Sequence, residues 1–379
     1  MPMNILLVAP YFGGSHRAWA RGYQRHTAHD VTLLTLPARF WKWRMHGGAA
    51  TLAEKLQAQV GEGPTIPDVV LATDMVNLPA FLGLTRDLLG DVPVVLYCHE
   101  NQLTYPLQEG EKRDLAYPMI NWLSMLAADR VLFNSHFHLE NWFRALPKML
   151  KHFPDCSHQP LVSEVRARSE VLPVGCDLRA LDAARPAEPG EDGVSPLILW
   201  NQRWEYDKDP TTFFRALDVL VARGVDFRVA LAGSNVRQQP EEFEAARKRL
   251  GDRVVHFGRA DRAEYQQLLW EADVVVSTAI HEFFGIAMVE AIACGCFPVL
   301  PERLAYPELI PEAEVSPEVR RRCFYSGFDE LMARLTWALT EIDAARSLTP
   351  PLQRSVRRFD WSMMAPRYDA VMVEVGRRS

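Results

Sequence analysis

The sequence predicts an α/β fold made of two doubly wound parallel-sheet domains. Short, fully apolar runs recur along the chain and alternate with helix-compatible segments, the pattern of strands buried on both faces. Each run ends in a glycine turn or a polar cluster. The rhythm breaks at 182–196, a stretch rich in Pro, Gly and acid, and 379 residues suit two cores better than one.

In the first half the strands are "NILLVAP", "VTLLTLP", "DVVLATD", "VPVVLYCHE" and "DRVLFNS", and "EVLPVGCDL" closes it. The second half repeats the order with "PLILWNQ", "FRVALAG", "RVVHFG", "DVVVSTA" and "CFPVLP". The tail from Phe359 has helical apolar spacing. These readings place one domain at 1–181, a linker at 182–196, a second domain at 197–354 and a returning helix at 355–379. Ligands of such sheets sit outside the carboxyl ends of the strands, so two units on one linker are expected to face each other across a cleft.

Composition excludes several classes. "MPMNILLVAP" has no basic segment before its short apolar run, and no stretch approaches the roughly 20 apolar residues of a membrane span. The six cysteines are scattered, and Cys294 and Cys296, one residue apart in an apolar run, suit neither a zinc knuckle nor a redox pair. Reduced thiols and a cytoplasmic location are expected. The formal charge of −6 gives no global attraction to nucleic acid or membrane, so a polyanionic partner must be held by local basic patches.

The second half offers a phosphate and sugar site. "RWEYDKDP" places Arg203 and Lys208 at a strand mouth, where fixed cations suit a departing phosphate, with Glu205 and Asp207 able to orient them; a solvated loop is the bland alternative. After "DVVVSTA", the stretch "HEFFGIAMVEA" puts Glu282 and Glu290 eight positions apart around Phe284-Gly285. Gly285 lets the backbone approach a ligand, and a helix starting near Ile286 offers free N–H groups to a diphosphate. Glu290 is placed to reach a ribose and Glu282 to hold sugar hydroxyls. Alternatively Glu290 lies on an exposed helix face, but its small apolar neighbours make an unpaired carboxylate there costly. "HFGRADRAEYQQL" is expected to frame the base, with Arg259 or Tyr265 as contacts.

This constellation resembles the nucleotide-sugar site of the retaining GT-B glycosyltransferases of the glycosyltransferase-4-like group. The resemblance implies that Glu282 contacts the donor sugar, that Phe284 belongs to the donor site, that Gly285, Ile286 and Ala287 take the diphosphate on their amides, and that Glu290 takes the ribose. It implies that Arg203 and Lys208 stabilise the departing diphosphate, without a side-chain nucleophile.

In the first half, "APYFGGSH", "LPARFWKWRMHGGA" and "LYCHENQLTYP" together resemble the tRNA-queuosine α-mannosyltransferase family. Gly13 and Gly14 permit a close backbone approach to donor or acceptor, and Ser15 and His16 offer hydrogen bonds there. His99, Glu100 and Asn101 leave a strand end together, with His99 a sugar or acceptor contact; His136 follows another strand. "RFWKWRMHGG" interleaves Arg39, Lys42 and Arg44 with Phe40, Trp41 and Trp43, which suits a stacked nucleoside and its phosphates. The alternative is an amphipathic helix that buries its tryptophans. Arg144, Lys148 and Lys151 read as a solvated face.

The resemblance implies a retaining transfer of mannose from GDP-mannose to queuosine in a tRNA anticodon. The alternatives are a GT-B enzyme acting on a lipid, polysaccharide or small molecule, or a catalytically silent sugar-nucleotide or RNA binder. The expected partners are queuosine-containing tRNA and the nucleotide sugar, with no membrane. No cofactor is expected, and since "ATDM" carries a single acid rather than a DxD motif, a divalent metal is expected to be dispensable.

Overall fold

The computed structural model describes residues 2–60, 66–108, 110–152, 155–187, 193–234 and 241–377. The chain divides into two compact units, Met1–Gly175 with Trp361–Ser379, and Cys176–Asp360. The division therefore falls at Gly175/Cys176 and Asp360/Trp361, whereas the composition break lies at 182–196, of which 188–192 are outside the described residues.

The first unit holds β1 (Asn4–Phe12), β2 (Asp30–Pro37), β3 (Val69–Thr73), β4 (Val94–Cys98), β5 (Arg130–Phe133) and β6 (Ser169–Val171). They form one parallel sheet in the order β2-β1-β3-β4-β5-β6. Every residue of β3 and β4 is buried, as their unbroken apolar runs require. The sheet order reverses between β1 and β3, so the switch point lies at their carboxyl ends, where Gly13 and Asp74 follow.

The last helix, Trp361–Gly376, packs in this unit. Trp19 Nε1 donates to Tyr368 Oη at 3.0 Å, which donates in turn to the Pro173 carbonyl at 2.9 Å. A Cβ at Gly22 or at Gly175 would lie 2.1 or 2.5 Å from the Trp361 indole, so only glycine leaves room for that ring.

The second unit holds β7 (Leu197–Trp200), β8 (Arg228–Ala232), β9 (Val254–Gly258), β10 (Val274–Val276), β11 (Phe297–Pro301) and β12 (Phe324–Tyr325). The order β12-β11-β10-β7-β8-β9 is the dinucleotide-binding arrangement, with its switch point between β7 and β10. The two-residue β12 carries too little periodicity to be read from sequence.

Candidate active site

The loop after β7 and the loop after β10 are tied together at the switch point. The amides of Ile280 and His281 donate to the Asp207 carbonyl at 2.9 and 3.2 Å, and Thr278 Oγ1 donates to the Lys208 carbonyl at 2.8 Å. Lys208 is thereby held indoors. Its Nζ lies 3.1 Å from Asp207 Oδ2 and 3.3 Å from Glu282 Oε2, and it donates to the His281 carbonyl at 2.9 Å. Arg203, about half exposed, pairs with Glu205 at 3.0 Å and lies 3.9 Å from Asp207 Oδ2.

Burial presses the Lys208 ammonium toward neutrality, but the charges of Glu282 and Asp207 outweigh it and its pKa is raised. Burial likewise opposes ionisation of Glu282, yet Lys208 and the Phe284 amide win and its pKa is lowered. Both groups are therefore charged at neutral pH. His281 is pushed down to about 4 by burial and by Lys208, so it is neutral there.

Glu282 Oε1 also accepts from the amides of Phe283 and Phe284 at 3.0 and 3.3 Å. The Phe284 ring is buried edge-on against Phe359, and its amide is engaged by Glu282. Gly285 stands at φ +94° before the helix Ile286–Ala293, whose first turn carries no acidic residue and whose start has no side-chain cap. The leading amides, those of Ile286 and Ala287, are thus presented to an anion.

Glu290 is half-buried, not on an exposed face. Tyr265 Oη donates to its Oε2 at 2.9 Å, Arg262 lies 3.8 Å from its Oε1, and Asn201 Nδ2 bridges Tyr265 Oη and the Ala287 carbonyl at 3.1 and 3.0 Å. Burial raises the Glu290 pKa against these partners. The structure thus gives Tyr265 a positioning place behind Glu290, where the sequence suggested a base contact. Arg259 is exposed beyond β9.

In the first unit, His99 lies at the end of β4 with its ring 4.4 Å from that of His16 and edge-on to Trp19 at 4.6 Å. Its amide donates to Asp74 Oδ1 at 2.9 Å, and its carbonyl accepts from Asn134 Nδ2 at 2.8 Å. Burial, then the charges of His16 and His138, hold its pKa well below the ordinary value, so His99 is a neutral imidazole. Asp74 is buried, and burial together with Glu100 raises its pKa well above its ordinary value. In the sequence Asp74 is the single acid of "ATDM", read only as the absence of a metal motif, and nothing local links it to His99.

Glu100 is half-buried and accepts from Gln102 Nε2 at 2.8 Å. Asn101 is fully buried, and its side-chain oxygen shapes the loop by accepting from the amides of Leu103 and Thr104. Gly13 begins the helix Gly14–His26; a Cβ there would lie 2.4 Å from Ala38 Cβ, and Gly14 is at φ +51°. Ser15 is exposed at that start. The two tryptophans separate: Trp43 is 61% exposed, whereas Trp41 is half-buried, 5.0 Å from the Tyr117 ring and packed on Met45, Met75 and Ile120. Trp41 thus fits the core alternative.

Residues 4–176 match the model of the tRNA-queuosine alpha-mannosyltransferase N-terminal domain, and residues 183–344 that of glycosyl transferases group 1. A tRNA-queuosine alpha-mannosyltransferase from Drosophila melanogaster is 35% identical over 315 residues, covering 82% of this chain and 82% of its own. The chain belongs to the tRNA-queuosine alpha-mannosyltransferase family. A GDP-mannose:cellobiosyl-diphosphopolyprenol alpha-mannosyltransferase from Xanthomonas campestris is 22% identical over 92% of this chain and 89% of its own. Among solved structures, sucrose-phosphate synthase from Thermosynechococcus elongatus superposes with a TM-score of 0.71 at 16% identity, covering all of both chains, which establishes the GT-B fold.

Within this family assignment the candidate residues fall in two separately matched stretches. The His99–Asp74 cluster and the Arg39–Arg44 segment fall in the stretch matched by the family's own N-terminal domain. Arg203, Lys208, Glu282 and Glu290 fall in the part shared with glycosyl transferases group 1. Among the described residues no group of three or more His, Cys, Asp or Glu side chains could hold a metal ion, and no helix is long and apolar enough to cross a membrane.

Proposed function

We propose that this protein is a retaining glycosyltransferase that moves mannose from GDP-mannose to queuosine in a tRNA anticodon. The observation that carries the reading is the switch-point site, in which two cations, an uncapped helix start and two carboxylates stand in the order a nucleoside diphosphate sugar requires, in a chain of this family. Mannose and the queuosine acceptor are supported by the name of the 35% identical relative, and guanosine by that of the Xanthomonas relative.

The diphosphate would lie on the amides from Gly285 to Ala287, with the ribose on Glu290 and the sugar hydroxyls on Glu282. In a front-face displacement the anomeric carbon–phosphate oxygen bond breaks as the acceptor hydroxyl attacks the same face. Its proton passes to the leaving diphosphate, so no protein base is consumed. Arg203 and Lys208 balance the charge that grows on that diphosphate, where fixed cations contribute most. No divalent metal is required in this scheme.

The test is a donor and acceptor screen. GDP-mannose, UDP-glucose and UDP-galactose are offered with queuosine-containing and queuosine-lacking tRNA, with chelator present, and the nucleosides are read by mass spectrometry. Mannosyl-queuosine from GDP-mannose alone is expected. Incorporation independent of queuosine rejects the acceptor, and loss in chelator restored by Mn²⁺ or Mg²⁺ rejects the metal-free scheme.

A further inference from the structure

The segment between β2 and the helix Trp41–Val60 exposes two aromatic rings that a folded chain ordinarily hides. Phe40 is 79% exposed and Trp43 61% exposed. Phe40 also stands at φ +51°, a region a bulky residue enters only when its surroundings hold it there, and one that concentrates at ligand clamps. Trp43 is not loose either. A Cβ at Gly47 would lie 2.6 Å from the Trp43 indole, so the ring lies across the helix on a seat that only glycine leaves open.

Cations accompany this pair along the chain. Arg39, Lys42 and Arg44 flank it in sequence, and Lys42 Nζ lies 5.6 Å from the Trp41 ring and 5.9 Å from that of Tyr117. The same edge is continuous with the helix Gly14–His26. Phe12 is paired with Pro37 across β1 and β2, Gly13 abuts Ala38, and Arg44 Nε donates to the Pro37 carbonyl at 3.2 Å. Arg21 lies 5.8 Å over the Phe12 ring from that helix, one turn after the exposed Arg17. Among the described residues none of Arg17, Arg21, Arg39, Lys42 and Arg44 has a carboxylate at ion-pair distance, whereas Arg130, Arg249, Arg346 and Arg357 each do.

In a chain of net charge −6, two exposed rings and five cations without a carboxylate partner, carried by adjoining segments of one edge, complement a polyanion with unstacked bases. We propose that Phe40 and Trp43, on the Gly47 seat, stack bases of a single-stranded RNA loop. Arg17 and Arg21 carry the path of its phosphates onto the neighbouring helix. This rests on the tRNA reading above and extends it: the surface grips the loop around the modified nucleoside, and Trp41 is left to the core.

The test uses the full chain and a fluorescent, unmodified anticodon stem-loop, followed by anisotropy over a salt series. Phe40→Ala and Trp43→Ala are each expected to weaken binding roughly 5- to 150-fold, the range of one lost base stack. Gly47→Ala should shift affinity in the same direction by unseating Trp43. Arg17→Ala with Arg21→Ala should flatten the log–log salt slope by roughly one to two units. Binding of GDP, and melting temperature, should stay at wild-type values in all of them. Unchanged affinity and slope in these variants overturn the surface, as does equal binding of wild type to anionic phosphatidylglycerol vesicles. The outcome is separable from that of the donor screen. RNA binding through these residues without transfer to queuosine leaves the surface standing and removes the acceptor, and transfer with the variants unaltered in tRNA affinity does the reverse.

Discussion

Lys208 Nζ and Glu282 Oε2 meet at 3.3 Å although 74 residues of chain separate them. The contact joins the loop after β7 to the loop after β10, the two strands that flank the switch point of the second sheet. One ammonium thus holds the Glu282 carboxylate ionised and remains a cation itself, and the partner for each is supplied by the fold.

Replacing Arg203 by Ala is expected to lower turnover about 10²- to 10³-fold with donor affinity and melting temperature little changed, because its guanidinium is half exposed and acts on charge that builds in the transition state. Lys208→Ala should lose turnover at least as strongly and also stability, by roughly 3–5 kcal/mol, since it leaves buried Asp207 and half-buried Glu282 without their cation. Steady-state kinetics with thermal melts decide it; variants impaired only in donor affinity would remove both residues from the leaving-group role.

Glu290→Ala is expected to act on nucleotide binding, weakening GDP by roughly 10- to 150-fold for a lost charged hydrogen bond, with turnover at saturating donor near wild type. Tyr265→Phe should move affinity the same way by less, because it removes the hydroxyl that holds Glu290 at 2.9 Å. Calorimetric titration with GDP reads both, and a Tyr265→Phe affinity equal to wild type would take Tyr265 out of the ribose site.

Gly285→Ala places a side chain at φ +94° with its Cβ 3.2 Å from the Tyr306 ring. A left-handed residue costs about 1–2 kcal/mol, and relief of that strain would tilt the amides of Ile286 and Ala287. Lower stability together with weaker diphosphate binding is expected, measured by denaturant melts and by GDP titration. Lower stability with unaltered GDP affinity would show that the amides do not receive the diphosphate.

His281 is held to about 4 in the folded protein against an ordinary 6.5. A depressed folded pKa means that this stabilisation is complete above pH 6.5 and is lost as the pH falls toward 4. The loss amounts to roughly 3 kcal/mol if the full shift is expressed. His99, also held low, titrates in the same direction. Denaturant unfolding at pH 7 and pH 4.5 should therefore show a smaller loss in His281→Gln than in wild type; equal losses would mean that His281 does not titrate on unfolding.

Trp41→Ala should cost about 3–5 kcal/mol of stability, the loss expected for a packed aromatic, while RNA affinity per folded molecule stays near wild type. Melting curves paired with stem-loop binding separate this from a stacking role, which would leave the melt intact and weaken binding.

The alternation of apolar runs was enough to read the buried strands of both sheets, though not the short β12, because strands covered on both faces must be apolar throughout, and β3, β4 and β11 are buried from end to end. The spacing of Glu282, Gly285 and Glu290 was legible for a local reason: a helix start and one turn of helix fix those positions relative to each other. What lay outside the sequence was every relation set by packing between distant segments. Asp74 is a lone acid in the chain and becomes a buried neighbour of His99 only when β3 and β4 lie side by side. Tyr265 comes behind Glu290 from another helix, and the composition break at 182–196 does not mark where one core ends and the next begins. Trp41 and Trp43 stand two residues apart with equal hydropathy; only the tertiary structure puts one on Tyr117 and lays the other, exposed, across Gly47. Burial is a property of what surrounds a residue, and local sequence specifies it only where a whole strand or helix face must share it.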